Sequence, residues 1–147
     1  MRARLRLKPE QAAFVADRVR HFARDAPETW SWQRGYVQEH RALPLYLGWT
    51  ETLGIQPDGF LVRWSTEAEY DGVKSIVDPI ECAVALTLGA ERYPELQSLV
   101  PDRPRDVQHC SACAGLGRFP QQPEVICECG GLGWRPRSLE DLGVLCG

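Results

Sequence analysis

Four of the six cysteines stand in two close pairs, Cys110 with Cys113 and Cys127 with Cys129, separated by 13 residues. Thiolates are soft metal ligands, and two such pairs supply the four tetrahedral positions that a structural Zn2+ takes. A loop of this length brings the pairs together at small entropic cost. The spacing therefore predicts one Zn2+ held by Cys110, Cys113, Cys127 and Cys129. Each second cysteine also opens a Cys-x-Gly-x-Gly unit: Cys113, Gly115 and Gly117 in the first, Cys129, Gly131 and Gly133 in the second. Glycine reaches positive φ and carries no side chain, so the backbone can turn round a metal and aim N–H groups at the sulfurs. Four cysteines close the coordination sphere and leave no position for water or substrate, which points to a structural rather than a catalytic metal.

Two alternatives stay open at this stage. His109 adjoins Cys110 and could replace a sulfur if the shorter Cys127–Cys129 pair cannot supply both. Those two cysteines could instead do redox chemistry, although thiolates on a metal are usually inert. Cys82 lies in an apolar segment and reads as a small core residue, and Cys146 as an exposed thiol.

The paired units resemble the Cys-x-x-Cys-x-Gly-x-Gly repeats of the DnaJ-type cysteine-rich zinc domain, over residues 110–134 and nowhere else. The resemblance implies a two-knuckle zinc ribbon with the same four cysteines as ligands. It departs from that domain in the Cys-x-Cys spacing of the second pair and in having two repeats where DnaJ has four, enough for one metal. The His-Pro-Asp signature of the J-domain is missing, so no co-chaperone activity is carried over.

The chain that must position this module has 147 residues, 44% hydrophobic and 25% charged, with 17 basic against 20 acidic side chains. That length can bury a sizeable core, and a net charge of −3 gives no global attraction to nucleic acid or membrane. The basic start, MRARLRLK, is the local exception. No run approaches the roughly 20 apolar residues of a membrane span, and the start lacks the apolar core of a secretion signal. Closely spaced cysteines used as metal ligands fit a reducing, cytoplasmic setting.

The periodicity predicts an α+β protein: an N-terminal helix, an antiparallel β-meander and further helices, followed by the ribbon. In residues 7–27, Pro9 suits a first helical turn, and Val15, Val19, Phe22 and Ala26 recur on one face, with Arg20 and Arg24 opposite. Strands are expected near 45–55, 60–65 and 73–77, divided by QPDG and EYDG turns, with Trp49, Phe60, Trp64 and Ile76 on the sheet. Asp78, Pro79 and Glu81 predict a capped helix over 79–88 ended by Gly89, although alternation there also allows a strand. A short helix follows at YPELQSLVP. The expected organisation is a body over 1–100, a linker at 101–109, the ribbon at 110–136 and a tail at 137–147.

The chain contains no Walker loop, HExxH, nucleophile elbow or deaminase signature. Glu67, Glu69 and Asp71 read as a solvated acidic turn, and His21 and His40 have no catalytic partners in the sequence. A non-enzymatic role is therefore expected, with recognition of a protein partner first. Nucleic-acid binding through the ribbon stands second, on Arg118, Arg135 and Arg137 with Phe119 and Trp134, against the flanking Glu124, Glu128, Glu140 and Asp141. A third reading makes the metal a staple: Leu116 and Leu132 occupy equivalent places, and they either pack on the body or form a contact surface. Over residues 9–100 the order helix, LPLYLGW, meander with a PDG turn, DPIE and helix is similar to the SUKH superfamily, which includes bacterial toxin-immunity proteins. That resemblance implies a toxin or other protein as ligand.

Overall fold

The computed structural model describes residues 2–25, 33–48, 50–65 and 72–146. The chain enters as a short strand, β1 (Ala3–Leu5), with Ala3 and Leu5 buried and Arg4 exposed. Helix α1 (Pro9–Arg20) follows, opened by Pro9 and by a hydrogen bond from the Lys8 N–H to Gln11 Oε1 at 2.9 Å. It buries Val15 and Val19 as the periodicity requires. The helix expected over residues 7–27 is not continuous, because His21 (φ −103°, ψ 13°) leaves helical geometry and a single turn, α2 (Phe22–Asp25), begins. The break turns Phe22 into the core. Arg20 and Arg24 face solvent as expected, whereas Ala26 lies outside the described residues.

A helix that the periodicity did not announce, α3 (Arg34–His40), packs beside α1, and the Gln38 amide donates to the Val19 carbonyl at 2.7 Å. The central sheet is an antiparallel meander of β2 (Leu43–Leu47), β3 (Glu51–Ile55), β4 (Leu61–Ser65) and β5 (Lys74–Ser75), in that spatial order. The single strand expected over 45–55 is thus a hairpin, closed where the Gly48 N–H meets the Glu51 carbonyl at 2.9 Å. A run rich in apolar residues, with glycines only at positions 48 and 54, reads as a strand by composition, and only the turn hydrogen bond reveals its fold. Trp64 and Ile76 are fully buried, and Phe60 packs half-buried against the cluster of Ala42, Val62 and Trp64. Trp49, Glu67, Glu69 and Asp71 lie outside the described residues.

Helix α4 (Pro79–Arg92) packs against β2, and its Cys82 and Leu86 join the core cluster that holds Val15 and Val19 of α1. Asp78 caps it by accepting the Ile80 N–H at 3.0 Å, without the reciprocal Glu81 contact expected of a capping box. The helix continues past residue 88, and the alternative strand does not form. Gly89 sits inside it because a Cβ there would stand 2.9 Å from Leu45 Cδ2; glycine sets how closely the helix approaches β2 rather than where it stops. Tyr93 ends the helix and a 3-10 turn, Pro94–Leu99, follows where the short helix was expected. The Gln11 amide donates to Ser98 Oγ at 2.7 Å, and Phe14 meets Tyr93 edge-on at 5.8 Å, tying α1 to this turn.

The remaining residues form a two-stranded hairpin, β6 (Arg118–Phe119) with β7 (Gln122–Ile126), a 3-10 turn at Glu140–Leu142 and a final strand, β8 (Val144–Cys146). Strand β8 pairs antiparallel with β1, Ala3 opposite Cys146 and Leu5 opposite Val144. Val107, Trp134, Leu139, Leu142 and Val144 belong to the same buried cluster as Val15, Leu43 and Leu86. The cysteine segment is therefore held at both of its ends by the main core. None of the described helices is long and apolar enough to cross a membrane.

Candidate metal centre

The structure brings Cys110, Cys113, Cys127 and Cys129 together, buried, with their sulfurs all within 4.8 Å of one another. Cys110 and Cys127 sulfurs are 3.8 Å apart, and those of Cys113 and Cys129 are 3.9 Å apart. Tetrahedral metal–sulfur bonds of about 2.3 Å place ligand sulfurs about 3.8 Å from each other, so the cluster fits a thiolate-bound ion. None of the four is in a disulfide. His109 is not among the clustered ligand atoms: its imidazole lies over Gly115, where a Cβ would come within 2.8 Å of Nδ1.

The local backbone explains why the glycine unit is written twice. The two knuckles are related by an approximate two-fold exchange of contacts. The Cys110 N–H donates to the Gly133 carbonyl at 2.7 Å, and the Cys127 N–H to the Gly117 carbonyl at 2.9 Å. A Cβ on Gly117 would lie 2.3 Å from the Gly131 carbonyl oxygen, and one on Gly133 2.3 Å from that of Gly115. Each unit thus fills the hollow left by the other unit's missing side chains. The last glycine of each turns its N–H to a sulfur, Gly117 to Cys113 Sγ at 3.2 Å and Gly133 to Cys129 Sγ at 3.3 Å. Such N–H groups stabilise a thiolate over a thiol.

Thiol energetics follow the same geometry. Burial pushes the Cys127 thiol up to about 12, and neighbouring thiols add to that effect against the opposing Cys129 N–H. Burial raises Cys129 as well, against the Gly133 and Gly131 N–H groups. At Cys113 burial also acts upward, but the Gly117 N–H and the surrounding thiols outweigh it and bring the thiol down to about 7. A buried set in which one thiol ionises readily and others resist gains by exchanging its protons for a cation.

The knuckles differ in what lies behind them. The second is seated on α4: the Thr87 hydroxyl donates to the Gly130 carbonyl at 2.7 Å, closer than its helical alternative, the Ala83 carbonyl at 2.9 Å. Gly130 (φ +82°) and its counterpart Ala114 (φ +53°) share the left-handed conformation. A Cβ on Gly130 would stand 2.5 Å from the Ala83 methyl, whereas Ala114 is exposed. Contact with the helix thus accounts for glycine in one unit and alanine in the other. Trp134 enters the main core and Leu132 packs against it, while Phe119 covers the cysteine cluster. The equivalent Leu116 is 63% exposed.

The arginines expected to contact nucleic acid are engaged elsewhere. Arg118 is paired with Glu91, Arg135 with Glu128, and Arg137 with Asp106 at 2.7 Å and Asp141 at 3.0 Å. Cys82 is buried in the main core as expected. A feature the sequence did not disclose is the row Glu51, Arg63, Glu81, with contacts of 3.4 and 3.5 Å, beside an open cleft of about 290 Å3 that is also lined by Tyr46, Val84 and Ile126. Burial raises the Glu81 carboxyl, opposed by Arg63 and reinforced by Glu51. The three residues are far apart in sequence, and only the sheet and α4 bring them side by side.

Comparison of the chain with protein-family profiles, with curated proteins and with solved structures returns no match.

Proposed function

We propose that this is a non-enzymatic Zn2+ protein in which the metal fixes two knuckles with divided duties: the second anchors the segment to the body and the first presents a contact for a protein partner. The observation that carries the reading is the contrast between Leu132, packed against the main core, and Leu116, held out on a loop of matching backbone. A metal-tied loop loses little conformational freedom on binding, so an exposed leucine on it is a low-cost anchor. Zinc is favoured over other ions by four cysteine ligands at tetrahedral separations. A toxin is the partner class implied by the SUKH-like order of elements. The paired state of Arg118, Arg135 and Arg137 argues against nucleic acid on the knuckles.

The test couples metal analysis to two substitutions. Native mass spectrometry of protein isolated from its source cells should give one zinc and a stoichiometric protein partner. Leu116→Ser should lose that partner at unchanged thermal stability, while Leu132→Ser should lower stability. Retention of the partner by Leu116→Ser would remove the recognition role from the first knuckle, and absence of any metal would remove the zinc assignment.

A further inference from the structure

The first residues carry the charge that the knuckles do not offer. Arg2, Arg4 and Arg6 are exposed and alternate with buried Ala3 and Leu5, so their side chains project from one face of β1 and its flanks. Lys8 follows, also exposed, at the start of α1. Among the described residues none of these four cations lies within ion-pair distance of a carboxylate. Their contacts are with neutral groups: Arg2 stacks on Phe60 at 3.7 Å and reaches Gln56 Oε1 at 3.4 Å, and Arg4 Nε donates to the backbone carbonyl of Asp58 at 2.9 Å, Asp58 being the one acidic residue that shares a groove with Arg4 and Arg6.

We propose that this strip binds the backbone of a single-stranded nucleic acid, at a face distinct from the first knuckle and so beyond the recognition role given to it. Alternate residues of a strand are about 6.6–6.8 Å apart. That repeat is close to the separation of successive phosphates along one extended nucleic-acid strand, which arginine binds through charge-assisted hydrogen bonds. Phe60, already under Arg2, supplies an aromatic surface beside the strip. Arg4 and Arg6 also border a groove of about 340 Å3 that runs past Leu145, the cross-strand partner of Arg4.

An acidic peptide is the nearest competitor, since its alternate side chains repeat at the same distance. Peptides gain affinity on a sheet by adding a strand, and both edges of β1 are occupied. Strand β8 takes one, and on the other the Leu5 N–H donates to the Gly59 carbonyl at 2.8 Å while Arg4 bridges Phe60. Only side chains are left to make contacts, which suits phosphates. An anionic membrane would require apolar anchorage, and Leu145 is the one exposed large hydrophobic residue paired with the strip.

The experiment is fluorescence anisotropy of the full chain with labelled oligo(dT) and oligo(U) over a range of salt. Three to four phosphate contacts predict a slope of log K against log salt of about −2 to −3. Arg2→Gln/Arg4→Gln/Arg6→Gln should weaken binding at least about tenfold and shallow the slope by about 2. Arg6→Glu, at a side chain without a partner among the described residues, should weaken binding with an unchanged melting curve. Arg118→Gln/Arg137→Gln should leave the slope as it is. The proposal is overturned by absence of binding at low salt, by a slope that follows the knuckle arginines instead, or by polyglutamate or anionic vesicles displacing the oligonucleotide as well as unlabelled oligonucleotide does.

Discussion

Gly130 lies so close to Ala83 that a Cβ built on it would stand 2.5 Å from the alanine methyl. That approach fixes the second knuckle on α4. Gly130→Ala would force a left-handed alanine, costing about 1–2 kcal/mol, and add overlap with the helix. Denaturant titration should show a loss of at least about 2 kcal/mol. The converse change at the exposed counterpart, Ala114→Gly, should stabilise by no more than about 1 kcal/mol, because relief of strain is offset by a freer unfolded chain.

Thr87 reaches from α4 to the Gly130 carbonyl. Thr87→Val keeps the shape and removes the donor, leaving a carbonyl unsatisfied at a close contact. Stability should fall by about 1–3 kcal/mol, and Thr87→Ser should recover most of it. A loss in Thr87→Ser with none in Thr87→Val would show that the methyl group, not the hydrogen bond, holds the knuckle.

Metal removal should be felt far from the cysteines, because Trp134 follows Gly133 directly into the main core. Excess chelator should lower the melting temperature of the whole protein and change the near-ultraviolet circular dichroism of its tryptophans. A chelated protein with an unchanged melt would show that the core closes without the metal.

The knuckle sites were legible because four side chains of unusual chemistry sit close together in sequence. Pairing depended on local loops, which a sequence displays. The hairpin at Gly48 and the break at His21 were not legible, since both turn on backbone hydrogen bonds and on where Phe22 finds room. The different fates of Leu116 and Leu132 were also hidden: their sequence contexts match, and only the approach of α4 separates them. Gly89 illustrates the same limit, a residue that reads as a helix end and serves as a packing face against Leu45.

Arg137 holds Asp141 and Asp106 together, and its guanidinium keeps both carboxyls below the usual carboxylate range. A depressed folded-state pKa contributes stability above the unfolded value and loses it as pH falls through the folded one. Arg137→Gln should therefore lower the melting temperature at neutral pH. The gap from the parent protein should begin to narrow below about pH 4, where the unfolded carboxylates protonate, and close as pH falls further through the depressed folded-state values. A gap that persists at pH 2 would assign the effect to packing of the arginine stem.

Arg63 separates Glu51 from Glu81. Arg63→Met should raise the Glu81 carboxyl further, since burial and Glu51 already act upward and the opposing cation is gone. Titration followed by carboxyl NMR shifts would read this directly, and an unmoved Glu81 would mean that solvent, not Arg63, screens the pair.

The pairing of Ala3 with Cys146 imposes an order on biosynthesis. Strand β1 is synthesised before the body and its partner β8 after it, so until β8 emerges the arginines ride on a strand with one open edge. The body can collapse early around Val15 and Leu43, but this seam closes only once residues 144–146 are free to reach Ala3–Leu5. A chain interrupted before β8 would leave that edge open for pairing with another strand.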